Sequence, residues 1–363
     1  MPGVLRFTDL ELERNEASDL YPVTDATVLD AHGWDLAYWV FLDEDQLDDA
    51  IVLLGHTRGA ELDDGWEHRP VATDCGDAAN RTDDSEASAA FDGQVYVIGS
   101  HFGAKRGPLQ PARHWFARFP EDALAQYGGR SDAGPIDVHV IRDKLRIHRL
   151  VNDALAPLAD HLAPVEDRMS EAFIGAARAR GEAKGKKWAA RLHDGDHAFN
   201  IEGAAFRPNG NLLLGLRFPV QLNGAPVLVE LAGVPAMFDD GTWPTVVGVW
   251  LLQGPGGPEK WTGIRAMTSQ GDDVFDLITG NLDAVDKSSL LHDCYPLGKT
   301  AVSEHWRFSL KRRVNPGHVK ARFVHAFPDG ETRVEGLAHG PDDHFVYVVD
   351  EDGRVHVKFL AVA

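Results

Sequence analysis

Five positions in this chain occupy the same place in a repeated pattern, and four of them hold acidic residues that could bind a cation. Glu86, Glu202 and Glu335 each precede a small residue, an apolar strand, a turn and a second apolar strand. Two weaker copies of this pattern carry Asp19 and Arg265 at the same place. Carboxylates that meet in a narrow channel repel one another unless a cation lies between them. Because calcium and magnesium prefer oxygen ligands, we predict a Ca²⁺ or Mg²⁺ site formed by the three glutamates and Asp19.

Two alternatives need no metal. Arg265, and Arg217 just beyond a paired apolar strand, could neutralise the acids, while the repeated glutamates tie neighbouring sheets together through backbone N–H groups. In the second alternative, one of the acids has a raised pKa and does acid–base work itself. The sequence leaves these alternatives open.

A polar, glycine-rich segment at 99–107 is basic although the chain as a whole is acidic. Arg106 lies within it and Arg113 shortly after it. Because guanidinium groups bind carboxylate and phosphate oxygens in pairs, we predict that these arginines, with Arg265, bind an anionic substrate. The equal alternative is that they form salt bridges between neighbouring sheets.

His101 is the predicted proton-transfer residue. A neutral imidazole accepts and donates protons near pH 7, and Arg217 would hold the anionic charge that develops. The neighbouring Ser100 is a poor nucleophile for it, because adjacent side chains on an extended chain point apart.

Other chemical motifs are weak or absent. The segment 193–197, His-Asp-Gly-Asp-His, has the composition of a metal site, but without a third ligand elsewhere it is typical of a polar turn. The segment 298–300, Gly-Lys-Thr, is not a phosphate loop, because Asp293 occupies the place of the required first glycine. The sequence contains neither G-x-S-x-G nor H-E-x-x-H.

The elements that must position these residues are repeated β-hairpins. The three clear copies span 85–99, 200–215 and 334–349, and the weaker ones cover 18–42 and 264–280. A recurring hairpin unit is the signature of a β-propeller. We predict an all-β, five-bladed propeller, or a six-bladed one if the longest interval between copies contains another blade.

Two further features complete the predicted fold, a single propeller domain over 1–363. The Ala-rich, Pro-punctuated segment 152–190 predicts a helical insertion outside the ring, with its best helix at 171–180. The alternating segment 4–12 predicts an N-terminal strand that completes the last blade and leaves no open sheet edge.

Composition limits the function classes. The 363-residue chain is 44% hydrophobic, with a formal net charge of −20 that opposes nucleic-acid or anionic-membrane binding. Its two cysteines form no C-x-x-C pair, which argues against a disulfide framework or a cysteine zinc site. The N-terminus has no signal-peptide pattern and no apolar run is long enough to span a bilayer, so we expect a cytoplasmic protein.

Several of these motifs together resemble the DUF3616 family of uncharacterised bacterial proteins. They are the Glu-Gly-x-Ala and Gly-Leu-Arg combination at 199–210 and 213–219, with 97–101 and 43–45. Ala87 departs from the glycine expected after the repeated glutamate. More distantly, the chain is similar to phytase-like and gluconolactonase-like propellers, and this similarity implies axial acidic residues that bind calcium.

The sequence therefore indicates two functions of different classes. The first is metal-assisted hydrolysis of a small anionic molecule, a phosphoester or a lactone, at a channel mouth of the propeller. The alternative is a non-catalytic propeller that binds a ligand or a protein partner. If the three glutamates converge around an open pocket, the enzyme is favoured. If arginines pair with the glutamates instead, the non-catalytic propeller is favoured.

Overall fold

The structure is a computed structural model that describes residues 17–361, with short gaps. It shows twenty-one strands. The gaps are 43–45, 63, 80, 128–133, 285–287, 312–315, 328–332, 341–343 and 352–353. The strands are β1 Ala17–Pro22, β2 Trp34–Leu42, β3 Ile51–Thr57, β4 Trp66–Pro70, β5 Thr73–Asp74, β6 Ser85–Phe91, β7 Gln94–Gly99, β8 Trp115–Pro120, β9 Ile136–Asp137, β10 His139–Arg142, β11 Asn200–Phe206, β12 Leu212–Phe218, β13 Val227–Ala232, β14 Thr245–Gln253, β15 Gly263–Gly271, β16 Val274–Gly280, β17 Glu304–Ser309, β18 Gly317–Ala326, β19 Val334–His339, β20 His344–Glu351 and β21 Arg354–Ala361.

Helices are short and mostly concentrated in one part of the chain. They are α1 Ala26–His32, α2 Arg146–Leu155, α3 Asp167–Met169, α4 Ala176–Ala183, α5 Val234–Asp239 and α6 Leu290–Cys294. A π-helical turn at Ser170–Gly175 joins α3 to α4. Among the described residues, none of the helices has the length and apolar character that crossing a membrane requires.

Strands that follow one another along the chain pair in space, and this gives five meanders. They are β1 to β4, then β6, β7, β8 and β10, then β11 to β14, β15 to β18, and β19 to β21. Such a meander is the blade of a β-propeller. The predicted all-β, propeller-type fold class is therefore confirmed.

The first strand of each meander carries one extra residue near its start. There the pairing register with the next strand shifts, as at a β-bulge, which re-aims a side chain. The extra residues are Ser18, Glu86, Glu202, Arg265 and Glu335. Four of them are the positions that the sequence repeat predicted. In the first meander the predicted residue, Asp19, is one position too late, because Ser18 occupies the bulge.

The chain divides into two compact units, where the sequence predicts one domain. The first unit comprises 1–99, 116–141 and 333–363, and the second comprises 100–115 and 142–332. The first unit contains an apolar cluster in which Leu20, Tyr38 and Val348 are buried. Its β6 and β7 join through Asp92 and Gly93, which both have positive φ, as a tight hairpin turn requires.

The second unit contains two complete meanders joined edge to edge. Strands β11 and β12 are buried along their whole length, which explains their nearly continuous apolar sequences. Strand β14 pairs with β18 in parallel, so the two meanders form a single eight-stranded sheet. This sheet carries Glu202 on β11, Arg217 on β12 and Arg265 on β15.

Helical structure in the second unit begins at Arg146, earlier than the predicted insertion at 152–190. Part of this segment is buried, because Phe173 and Ile174 belong to an apolar cluster that also contains Phe218 and Val220. An Ala-rich segment can thus supply a few large apolar anchors, and its place outside the ring stays a prediction. The predicted N-terminal strand at 4–12 and the segment 43–45 lie outside the described residues.

Candidate functional site

A fully buried histidine lies in the loop 100–115 of the second unit. His101 has a φ of 57°, in the left-handed region that residues other than glycine seldom adopt. Its backbone N–H donates to the carbonyl oxygen of Arg113 at 3.0 Å, so the loop folds back on itself. Backbone conformations of this kind cost free energy and cluster at functional sites.

Asp143 connects this loop to the start of α2. Its Oδ2 lies 2.9 Å from Nε2 of His101, and its Oδ1 accepts a hydrogen bond from the backbone N–H of Leu145 at 2.7 Å. Its own N–H donates to the carbonyl of His114 at 3.1 Å. Burial by itself would raise the pKa of Asp143, but its attraction to His101 and their hydrogen bond lower that pKa to about 2. Asp143 is therefore an ionised carboxylate in the interior.

His114 is the third member of this group. Its side chain is fully buried, and its ring meets that of His101 edge-on, with centroids 4.9 Å apart. Neither ring nitrogen of His114 has a hydrogen-bond partner among the residues that the structure describes. Burial, together with the nearby His101, holds the pKa of His114 well below its usual value, so its ring is neutral. One nitrogen or oxygen atom from each of His101, His114 and Asp143 lies within 4.8 Å of the others.

An aromatic ring connects this group to a third buried histidine. Phe199 stacks with His101, at 6.0 Å between ring centroids, and with His148, at 5.5 Å. His148 lies on α2, and its ring centroid is 6.3 Å from that of His114. Three histidine rings and one phenylalanine therefore pack together in the interior of the second unit.

The segment 193–197, which the sequence predicts to be a polar turn, contacts His148. The Oδ2 of Asp196 lies 3.3 Å from Nε2 of His148, and its Oδ1 lies 2.9 Å from Nη1 of Arg149. Asp196 also accepts the backbone N–H of His193 at 2.8 Å. Burial lowers the pKa of His197 to about 4. The turn thus provides a carboxylate that orients His148.

Four arginines of the second unit lie next to the buried histidines and Asp143 in the chain or bond to the segments that carry them. We call the half-buried arginines Arg113, Arg142, Arg149 and Arg191 the basic rim. Arg113 and Arg142 adjoin His114 and Asp143 in the chain, and Arg191 donates to the carbonyl of Asp143 at 3.4 Å. In a chain of net charge −20, this concentration of guanidinium groups is suited to an anionic ligand.

The structure brings three of the sequence-predicted site residues together on the sheet of the second unit. The carboxylate of Glu202 accepts a hydrogen bond from Nη1 of Arg217 and lies 3.0 Å from Nε of Arg265. Both arginines also donate to Oδ1 of Asn281, at 3.1 and 2.8 Å. All three charged side chains are at least nine-tenths buried. This is the predicted arginine pairing, and these contacts occupy both oxygens of Glu202, which the sequence assigned to a cation.

Three further predicted residues, Arg106, Arg113 and Asp19, have partners of their own. Arg106 is exposed and pairs with Asp293 at 3.2 Å. Arg113 donates to the carbonyl of Gly103 at 3.2 Å. In the first unit, Asp19 accepts hydrogen bonds from the N–H and hydroxyl of Ser88, at 2.6 and 2.7 Å. Burial raises the pKa of Asp19 to about 8.

Two of the three repeated glutamates belong to the first unit. Glu86 lies on β6 and Glu335 on β19, and both side chains are half-buried. Glu202 belongs to the second unit. A shared calcium or magnesium site for these residues stays a prediction.

Sequence reasoning selected His101 but missed its partners. His114 and Asp143 are distant from it along the chain and form no short motif. Asp143 does carry a signal, because an aspartate shortly before an amphipathic helix is a typical helix start. His114 gives none, because a histidine before an apolar strand has the same local pattern whether or not its ring finds a partner.

No protein-family model matches this chain, and no curated protein is similar to it in sequence. A levansucrase mutant from B. megaterium aligns with a TM-score of 0.44 and 10% identity, covering 100% of this chain and 92% of that one. The GH43 endo-arabinanase from Bacillus licheniformis aligns with a TM-score of 0.39 and 9% identity, covering 98% and 96%. A mannose phosphorylase from Leishmania mexicana gives 0.42 and 8%, covering 99% and 89%. Structural similarities this low carry no argument about activity.

Proposed function

We propose that this protein is a hydrolase of a small anionic molecule, a phosphoester or a lactone, that acts at the buried histidines of the second unit. The observation that carries the proposal is the hydrogen-bonded pair of His101 and Asp143, with His114 against it. A base whose ring is oriented by a carboxylate is the usual arrangement for removing a proton from water.

The chemistry assigned to each residue follows from its contacts. Asp143 accepts the N–H of His101, which fixes the tautomer and leaves the other ring nitrogen as the base. Water that loses its proton to His101 attacks the phosphorus or carbonyl centre, the bond from that centre to the leaving alcohol oxygen breaks, and the protonated His101 returns the proton to that oxygen. The basic rim attracts the anionic substrate and stabilises the negative charge of the transition state. Membership of the DUF3616 family, and a calcium or magnesium ion at the repeated glutamates, stay predictions that this scheme does not need.

The test is an assay of the purified protein against a panel of phosphoesters and lactones. We expect hydrolysis of at least one anionic substrate, and a rate about 100-fold lower in His101→Gln. The exposed His193 of the same unit provides a matched control, and His193→Gln should keep the full rate. A wild-type protein inactive on the whole panel, or a His101→Gln variant of unchanged activity, overturns the proposal.

The second candidate is a non-catalytic binding propeller. Two observations favour it: His101 and Asp143 are both fully buried, and arginines rather than a cation meet Glu202. Binding of an anion to the basic rim without turnover would support this candidate. Equilibrium dialysis with inorganic phosphate, in wild type and in Arg149→Ala, measures that binding.

A further inference from the structure

We propose that His101, His114 and Asp143 bind one divalent transition-metal ion of the zinc class. Three potential ligand atoms, two imidazole nitrogens and one carboxylate oxygen, lie within 4.8 Å of one another. Among the described residues, this is the only such group of three. The proposal does not require that the protein be a hydrolase; if it is one, a metal held here would activate the attacking water in place of His101, whose ring would then be a ligand and not the base.

The independent observation is the state of His114. Its ring is fully buried, touches the ring of His101, and has no hydrogen-bond partner on either nitrogen within the described part of the chain. Buried polar groups in native proteins are nearly always paired, so an unpaired imidazole in the interior needs a reason. A bound cation would occupy one of these nitrogens and remove the cost of its burial.

The geometry is close to what a metal needs. Tetrahedral zinc bonds its ligands at about 2.0–2.1 Å, which places ligand atoms about 3.3 Å from one another. The atoms of His101 and Asp143 are already 2.9 Å apart. All three ligand atoms lie within 4.8 Å of one another, so the group has to contract to reach metal-binding distances.

The chemistry of the ligands selects the class of ion. Imidazole nitrogen suits zinc, copper, iron and nickel, whereas calcium and magnesium prefer six or more oxygen ligands. Two histidines and one carboxylate also form the ligand set of several catalytic zinc and non-haem iron centres. The backbone N–H of Leu145 fixes the second oxygen of Asp143, as expected for a ligand held in place by its surroundings.

The decisive variant is His114→Phe. It replaces an unpaired buried imidazole with an apolar ring of similar size, so the metal-free variant should melt at the same temperature as the wild type or higher. Untagged, chelator-treated wild-type protein should bind one Zn²⁺ or Co²⁺ and melt at a higher temperature when either is present. In His114→Phe the metal affinity should fall at least about tenfold and the metal-dependent shift should disappear.

His193→Gln is the control, because this exposed histidine could bind zinc adventitiously but lies outside the group of three. Unchanged zinc affinity in His114→Phe, with loss in His193→Gln, overturns the proposal, as does a wild-type protein that binds calcium and not zinc.

If His114→Phe does not fold, a Co²⁺-soaked wild-type crystal decides. An anomalous peak between His101, His114 and Asp143 supports the site, and its absence overturns it. Zinc binding without hydrolysis would refute the proposed hydrolase alone.

Discussion

The Nε2 atom of His101 lies 2.9 Å from Oδ2 of Asp143, and both side chains are fully buried. The pair joins His101, whose φ is positive, to the segment that leads into α2. Because the carboxylate also accepts backbone N–H groups of Leu145 and Ile147, one side chain satisfies three buried donors. The stability of the second unit should therefore depend strongly on Asp143.

Asp143→Ala should lower the free energy of unfolding by about 3 kcal/mol, because it leaves the His101 ring and two backbone N–H groups without an acceptor. Urea denaturation measures the change. Asp153 on α2 is the matched control, since it is exposed and pairs with Arg149 at 2.8 Å. Asp153→Ala should cost less than about 1 kcal/mol. Equal costs for the two variants would contradict the role given to Asp143.

The buried acid Asp19 gives the protein a predictable dependence on pH. Burial raises its pKa in the folded state from 3.8 to about 8, so the folded protein retains this proton where the unfolded chain has lost it. The contribution is fully present below about pH 4 and is lost as the pH rises toward 8. Its slope is at most about 1.4 kcal/mol per pH unit.

Asp19→Asn isolates this contribution, because the amide mimics the protonated acid and can still accept from Ser88. Chemical denaturation of both proteins between pH 4.5 and 8 provides the measurement. The wild type should lose stability relative to the variant as the pH rises. A difference that stays constant, or that grows in the opposite direction, would show that the hydrogen bonds from Ser88 keep Asp19 ionised.

The helical segment of the second unit should be essential for its core. Phe173→Ala removes a fully buried ring that stacks on Phe102 at 4.8 Å, and should cost about 3–5 kcal/mol. Phe323→Ala, at a ring that is 48% exposed in the same unit, should cost much less. Thermal melts distinguish the two. A Phe173→Ala protein as stable as wild type would show that these helices contribute little to the core.

The sequence predicted the parts of the fold that depend on local pattern. Each hairpin repeat combines an apolar strand, a turn residue and a second apolar strand, and these local requirements place Glu86, Glu202, Arg265 and Glu335 correctly at the bulges. The same pattern misplaced the first copy by one residue. A bulge is defined by pairing with the neighbouring strand, and sequence similarity alone could not decide between Ser18 and Asp19.

The buried site could not be predicted from the sequence, for a different reason. His101, His114 and Asp143 belong to three separate segments, and only tertiary packing brings them within 4.8 Å. A single sequence shows polar residues at those positions but not that they are buried. The pairing of Glu202 with Arg217 was predictable as an alternative, because a buried carboxylate needs a partner. Whether that partner was a metal or a guanidinium depended on packing.

Glu202 provides the last test, because it decides between a cation and the arginines at the repeated glutamate position. Its carboxylate meets Arg217 and Arg265, and all three side chains are at least nine-tenths buried. Glu202→Gln keeps the shape and the hydrogen bond from Asn200 but removes the negative charge between two guanidinium groups. Breaking a buried ion pair by removing one partner costs about 3–5 kcal/mol. We therefore expect a large fall in melting temperature that is the same with calcium and with chelator.

Glu304→Gln is the control, since Glu304 pairs with the more exposed Lys260 at 2.7 Å and should matter far less. If calcium instead raises the melting temperature of the wild type and not of Glu202→Gln, a cation binds there and the arginines are secondary.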